Sequence, residues 1–289
     1  MTRYGVTGAT GGFGAHVIRV LLERGIESRN IVAIVRNRQK ASGWITRGIE
    51  VRLGDFDVPS TLPAALAGVD ILLLVSTGHV PNRVAQHKAA IDAATAAGVQ
   101  RIVYTSVLQA DTSKMGLAAD HRSTEELLRN SSVGWTILRN SWYLQLYTDD
   151  LRGILSRGMT IGSAGNARVS AAAREDYAEA AAVVMIEPRH ENAIYELGGD
   201  TSFSYPEFAQ TLSRLSGTPV GYTDLSPRAH RSALIEAGLS EEDADMIADS
   251  DEAIPRGELE TTSRDLSRLL QRPTTPLTEF INERLTFTG

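Results

Sequence analysis

Four glycines near the start of the chain are the first residues with an obvious chemical use. Residues 4–17 read YGVTGATGGFGAHV, which places Gly8, Gly11 and Gly14 three apart with Gly12 between the last two. Glycine has no Cβ, so it takes positive φ and lets another group approach the backbone. The apolar run before the glycines reads as a strand. After them, Val17, Ile18, Leu21 and Leu22 fall at helical spacing, and Gly25 supplies a stop. A strand that runs through a bare turn into a helix N-terminus aims free amides at an anion, and a pyrophosphate fits there. The spacing is G-x-x-G-x-x-G rather than the commoner G-x-G-x-x-G, and a glycine-rich turn without a ligand is the alternative.

A dinucleotide would be sorted at the end of the second strand, IVAIV, where an NAD-binding chain carries an acidic residue. Here the strand is followed by Arg36, Asn37, Arg38 and Lys40. Arg36 stands where the acidic residue is expected, and a guanidinium forks onto a 2′-phosphate that a carboxylate would repel. The residues therefore favour NADP(H) over NAD(H), against the alternative of a solvated basic turn. Beyond the third strand, Asp55 and Phe56 suit the amine and the face of an adenine, although Asp55 equally suits the opening of a turn. Ser76, Thr77 and Gly78 follow the fourth strand, level with the middle of such a cofactor.

One familiar device is missing. Many NADP reductases use Y-x-x-x-K, but the three lysines, Lys40, Lys88 and Lys114, are preceded at that spacing by Arg36, Val84 and Ala110. There are no cysteines, which excludes disulfides, thiolate metal sites and a cysteine nucleophile. None of the six histidines forms an H-x-x-x-H pair, so no metal is expected.

The elements that must position these residues follow from apolar periodicity. Runs at 4–6, 31–35, 49–53, 70–75, 101–105 and 134–138 alternate with helical patterns near 12–24, 60–67, 82–97 and 118–130. Apolar strands bridged by helices predict a doubly wound α/β fold with a parallel sheet buried on both faces. After about residue 140 the alternation loosens. A helix near 174–186 and a strand near 194–197 return to the first domain, and from about 203 the pattern is mostly helical. The expected division is a nucleotide-binding domain over 1–150, with a return at 174–197, and a smaller, mainly helical lobe over 151–289. With 289 residues, a net charge of −6 and no basic block, nucleic acid is not an expected partner. No apolar run approaches the roughly 20 residues of a membrane span, and no signal peptide precedes the first strand. A cytoplasmic protein is the default expectation.

Seven separated segments, TGATGGFGAHVI, IVAIVRN, VYTSVLQADTS, LAADHRSTEELL, ILRNSWY, YELGGD and RPTTPL, carry a resemblance in order along the chain. From residue 4 to about 280 the chain resembles the type-2 NAD(P)H:quinone oxidoreductases, which group with the triphenylmethane reductases among NmrA-like atypical short-chain reductases. The resemblance implies a Rossmann domain with a smaller C-terminal lobe. It implies NADPH at Gly8, Ala9, Thr10, Gly11, Gly12 and Phe13, with Gly14 closing the turn, and at Arg36, Ser76, Thr77 and Gly78. It also implies cofactor contacts at Asn140, Trp142, Tyr143 and Leu144, with a quinone against the nicotinamide in an apolar cleft between the lobes.

A quinone is a strong hydride acceptor and its product oxyanion is only weakly basic, so positioning replaces most general-acid help. Asn140 and Tyr143, and after them Tyr104, are the candidate donors, with core packing the alternative for Trp142, Tyr143 and Tyr147. His121 and Glu125 occupy the helix where Y-x-x-x-K would sit, and His121 is read either as a substrate contact or as structural. Two functions remain in play. One is a flavin-free NADPH-dependent reductase of quinones or, on the same site, of dyes and other xenobiotics. The other is an NmrA-like sensor of NADP(H) that reports to a protein partner. Oligomeric state stays open, a homodimer among the alternatives.

Overall fold

The computed structural model describes residues 1–78 and 82–287. In chain order its elements begin with β1 (Tyr4–Val6), α1 (Gly12–Glu23), β2 (Ile31–Val35), α2 (Ser42–Thr46), β3 (Glu50–Leu53), α3 (Leu62–Leu66), β4 (Ile71–Leu74), α4 (Arg83–Ala96) and β5 (Arg101–Val107). They continue with α5 (Gly116–Arg129), β6 (Gly134–Asn140), α6 (Leu144–Thr148), α7 (Leu151–Arg157), β7 (Met159–Gly162), α8 (Arg174–Ile186) and β8 (Ala193–Leu197). The chain closes with α9 (Tyr205–Ser216), β9 (Gly221–Asp224), α10 (Pro227–Glu236), α11 (Glu241–Ala253), α12 (Asp265–Leu270) and α13 (Leu277–Phe287). It forms two compact units. The first comprises 1–107, 120–139 and 177–195; the second comprises 108–119, 140–176 and 196–289.

The first unit is built on a seven-stranded sheet of order β3-β2-β1-β4-β5-β6-β8. The β1–β2, β1–β4, β2–β3 and β4–β5 pairs are parallel, with Tyr4 opposite both Ile31 and Ile71. Every residue of β2 and β5 is buried, as a sheet covered on both faces requires. One core cluster joins Val32 and Ile34 to Leu62 and Leu66 of α3, Ile91 of α4, Tyr104 and Ile137. Helix α1 turns Val17, Ile18 and Leu21 onto the sheet, each fully buried, which contributes about 1.5–3 kcal/mol apiece. From β1 the chain first moves outward to β2 and β3, then crosses back to β4 on the other side of β1. That reversal opens a crevice above the carboxyl ends of β1 and β4, the usual ligand position in such sheets.

The alternation expected from the sequence is found, and the α/β fold with it. The second unit adds what periodicity did not predict. Its short strands β7 and β9 pair in parallel, Met159 opposite Gly221 through Gly162 opposite Asp224. Around them Tyr147 sits edge-on to Phe203, and Tyr205 stacks on Tyr222 at 5.2 Å between ring centroids. Helix α9 starts on a capping box between Ser204 and Glu207, an arrangement that satisfies two otherwise orphaned amides. In the RPTTPL segment, Arg272 Nη2 and the Thr275 amide donate to the buried Asp176 carboxylate at 2.8 and 2.7 Å.

Candidate functional site

A cavity of about 960 Å³ lies in the first unit over the carboxyl ends of β1 to β4, lined by the turns that follow each strand. Its size is at the upper end of that of small-molecule sites.

The turn after β1 is built around one carbonyl. Gly8 has φ +59°, and its oxygen accepts the Gly11 amide at 2.8 Å. Gly11 then caps α1 with an ordinary φ of −83° and no side chain over the helix end. The positive φ that the motif requires therefore falls on Gly8, where the chain reverses, and not on Gly11. A Cβ on Gly14 would lie 2.6 Å from the Gly8 oxygen, so this glycine is the contact between helix and turn. The turn is held from outside by Trp44 Nε1, which donates to the Ala9 carbonyl at 2.9 Å, and by Thr7, whose hydroxyl donates to Leu73 O and accepts the Val75 amide. The first amides of a helix have no intrahelical acceptor, and α1 has no acidic residue in its first turn. The cavity therefore meets a positive helix end, suited to an anion.

The turn after β2 presents Arg36, Asn37 and Lys40 to the cavity. Arg38 is engaged elsewhere, its Nη1 donating to Val51 O at 2.8 Å. Two cations of the basic cluster thus face the cavity and one braces the sheet. After β3, Asp55 and Phe56 line the cavity. Asp55 also opens the turn, its Oδ1 accepting the Asp57 amide at 3.0 Å. The two readings of Asp55 are compatible.

After β4, Ser76, Thr77 and Gly78 line the cavity and are positioned by buried side chains. The Ser76 amide donates to Thr105 Oγ1 at 2.8 Å, and Arg83 Nε donates to Gly78 O at 3.1 Å. The Thr77 amide donates to His87 Nε2 at 3.2 Å. Thr124 gives its hydroxyl proton to Asp120 O, so the 3.0 Å contact of His87 Nδ1 with Thr124 Oγ1 is a donation from the ring. His87 is thereby a neutral, singly oriented acceptor. Burial, and after it the charge of Arg83, lowers its pKa to about 3.

Of the residues expected to hold a cofactor, Gly8, Thr10, Gly11, Gly12, Phe13, Gly14, Arg36, Asp55, Phe56, Ser76, Thr77 and Gly78 come together around this cavity. Ala9 does not line it. Its side chain is fully buried in the core. Asn140, Trp142, Tyr143 and Leu144 belong to the second unit. There Asn140 ends β6. Both atoms of its amide are buried without a hydrogen-bond partner, although the side chain lies close enough to Tyr143 to oppose a rise in that tyrosine's pKa. That rise comes first from burial, and Arg174, 5.3 Å from the ring centre, also opposes it. A buried orphaned amide costs about 1–3 kcal/mol and calls for a ligand or water. Leu144 is buried at the start of α6.

His121 lies in the first unit, 4% exposed, with Nδ1 2.7 Å from the Tyr104 hydroxyl. Burial drives the histidine well below its ordinary pKa and raises that of Tyr104, so the phenol donates to a neutral ring. This is a core contact, which favours the structural of the two readings of His121. Glu125 is equally engaged, accepting from Ser106, Arg129 and both Nε and Nη2 of Arg139. Lys40, Asp57 and Gln86 line the cavity without having been assigned to it from sequence. Lys40 carried a signal in its position four residues after Arg36; Gln86 carried none. Among the described residues, no group of three or more His, Cys, Asp or Glu could hold a metal, and no helix is long and apolar enough to cross a membrane.

The comparisons with known proteins agree with this geometry. A family model described as NAD(P)H-binding matches residues 8–188. The quinone oxidoreductase 2 of Escherichia coli (strain K12) is 43% identical over 277 residues, 96% of either chain. A crystal structure of an NADPH-dependent quinone oxidoreductase from the same species, complexed with NADPH, superposes with a TM-score of 0.95 at 42% identity, covering 98% of this chain and 99% of that one. The triphenylmethane reductase of Citrobacter sp., complexed with NADP(H), gives 0.92 at 36% identity, with 98% and 99% covered.

Proposed function

This chain belongs to the NAD(P)H-binding family, and on that premise we propose that it is an NADPH-dependent reductase passing hydride to quinones or related conjugated acceptors without a flavin. The observation that carries the reading is the meeting, in one cavity, of a bare helix N-terminus with the Arg36 and Lys40 side chains. That set suits a pyrophosphate and a 2′-phosphate together. The acceptor class is supported by the full-length similarity to a quinone oxidoreductase.

Bound NADPH supplies the hydride. The chain's own contribution is to hold and exclude. The turn after β1 takes the pyrophosphate, the turn after β2 takes the 2′-phosphate, and His87 fixes the Thr77 amide through a proton-free Nε2. Asn140 and Tyr143 are assigned the polar contacts to the reacting ligands, with Trp142 and Leu144 beside them. The orphaned Asn140 amide supports this assignment. Tyr143 is protonated at neutral pH, as an ordinary phenol is, and burial raises its pKa further, so its hydroxyl carries a hydrogen to donate. His121 and Tyr104 satisfy each other and deliver no proton.

Two results are expected. Arg36→Asp weakens NADPH binding roughly ten- to hundredfold and NADH binding little, because one to two charge-assisted hydrogen bonds are lost and a repulsion is gained. Titration of both cofactors into both proteins measures it, and equal losses would show that Arg36 does not read the 2′-phosphate. The flavin-free protein also oxidises NADPH when a simple benzoquinone or naphthoquinone is added, followed at the nicotinamide absorbance band. Turnover of triphenylmethane dyes alone would move the acceptor to that class. Tight NADPH binding with no oxidation across a wide acceptor panel would replace the enzyme by a sensor of NADP(H).

A further inference from the structure

Tyr143 carries a cation on the face of its ring. It precedes α6, and Arg174 opens α8. The two are distant in sequence but are held together by hydrogen bonds within the second unit. Leu144 N donates to Ala172 O at 2.9 Å and Ala172 N donates to Trp142 O at 3.1 Å, which fixes the backbone on either side of Tyr143. Arg174 N donates to Oε1 of the buried Gln145 at 3.0 Å. The Arg174 guanidinium carbon stands 5.3 Å from the centre of the Tyr143 ring, inside the roughly 6 Å range of a cation–π contact. The adjacent carboxylate, Glu175, is engaged by Gln145 Nε2 at 2.6 Å and by Arg284 at 4.0 Å. Tyr143 and Arg174 are both half-buried, so their contact is partly shielded from water while neither side chain is sealed off.

A cation over a phenol ring attracts the phenolate more strongly than the neutral phenol, because the phenolate ring carries more negative charge. It therefore draws the hydroxyl toward acidity and strengthens the hydrogen bond that the hydroxyl donates. Burial pushes the Tyr143 phenol up, and the Asn140 side chain and then Arg174 oppose that rise. We propose that Arg174 is a positioning residue that acts through Tyr143, its guanidinium holding the ring and strengthening the hydroxyl as a donor to the oxygen of the reacting acceptor. This rests on the reading of Tyr143 as a contact to that acceptor. A quinone that takes a hydride from NADPH becomes a hydroquinone monoanion, NADP⁺ is left, and a proton from solvent completes the hydroquinone. The donor matters most in the first of these steps, when negative charge gathers on the acceptor oxygen.

The test is a cycle of Arg174→Met, Tyr143→Phe and the double variant, each read as the single-turnover rate of NADPH oxidation by a simple benzoquinone. Arg174→Met should lower that rate about three- to tenfold, with NADPH affinity and Tm nearly unchanged. In the Tyr143→Phe background the same substitution should cost less than about twofold, because the hydroxyl through which it acts is gone. A second measurement needs no cofactor. The more acidic phenol 3-fluorotyrosine, installed at position 143 and followed by fluorine NMR, should ionise about 0.3–1.5 pH units higher in Arg174→Met than with Arg174 present. Equal losses in the two backgrounds, or an unmoved fluorine titration, would overturn the proposal. A Tyr143→Phe protein that keeps the full rate while the fluorine titration moves would defeat the assignment of Tyr143 to the acceptor, and the catalytic part of this proposal with it.

Discussion

Gly14→Val should lower the stability of the protein by about 3 kcal/mol or more, whereas Gly11→Val should fold normally and lose NADPH. The first expectation follows from three backbone atoms. A Cβ at position 14 would lie 2.6 Å from Gly8 O, 2.9 Å from Gly8 C and 3.0 Å from Thr7 O. None of these is the end of a flexible side chain. Moving them would disturb the hydrogen bond from Gly11 N to Gly8 O and the end of β1. Overpacking of well-ordered sites typically costs 1–3 kcal/mol, and a clash against backbone belongs at or beyond the top of that range. For a chain of this size the melting temperature should fall by about 6 °C or more. At Gly11 a Cβ would meet only Gly8 O, at 3.3 Å, with a backbone that any residue can adopt. A valine there fits the fold with a small adjustment and places its methyl groups in the cavity. Melting each variant with and without NADPH separates the two. Wild type should gain about 2.7 kcal/mol at a hundredfold excess of cofactor over its dissociation constant. Gly11→Val should gain almost nothing. Normal protection of Gly11→Val by NADPH would show that the turn does not hold the phosphates, and a stable Gly14→Val would show that the helix can ride higher on its turn.

Acid should destabilise the protein steeply before its carboxylates begin to titrate. His87 and His121 are both buried with their pKa values depressed, His87 to about 3, and desolvation is the first cause in each. In the unfolded chain each takes up a proton near pH 6.5. A depressed histidine pKa means that the unfolded state binds more protons below that value. The stability associated with the neutral rings is thus fully present above about pH 6.5 and is lost as pH falls toward the folded-state values. Each histidine contributes a slope of about 1.4 kcal/mol per pH unit, so the pair contributes about 2.7 kcal/mol per unit between pH 6 and pH 5. Urea melts across that interval should show this slope in the wild type and about half of it in His121→Gln. A slope under about 1 kcal/mol per unit, or one unchanged by the substitution, would mean that the interior admits water to these rings. Carboxylates held low by their partners, such as Glu258, whose pKa is lowered to about 2, add their own losses only at more acid pH.

The glycine turn, the strand–helix alternation and Arg36 were legible in the amino-acid sequence because each rests on local rules. A strand four to eight residues long, a 3.6-residue period and a turn that needs bare backbone leave their marks within a few positions of one another. Counting was enough to exclude Y-x-x-x-K and any thiol chemistry. The tertiary structure alone decided which side chains of a legible cluster are used. Arg36 and Lys40 face the cavity while Arg38 donates to Val51 O. Positive φ falls on Gly8 and not on Gly11. His121 and Glu125 are engaged in the core by Tyr104, Arg139 and Ser106, partners that lie 14 to 19 residues away along the chain. Gln86 is held by Asp57 across 29 residues, and β7 meets β9 at Met159 and Gly221, with α8, β8 and α9 between them. In each case the deciding energy is a hydrogen bond or a backbone contact between residues that only the folded chain makes neighbours. No spacing rule can carry it, because the geometry that makes the contact is produced by the packing of every element between.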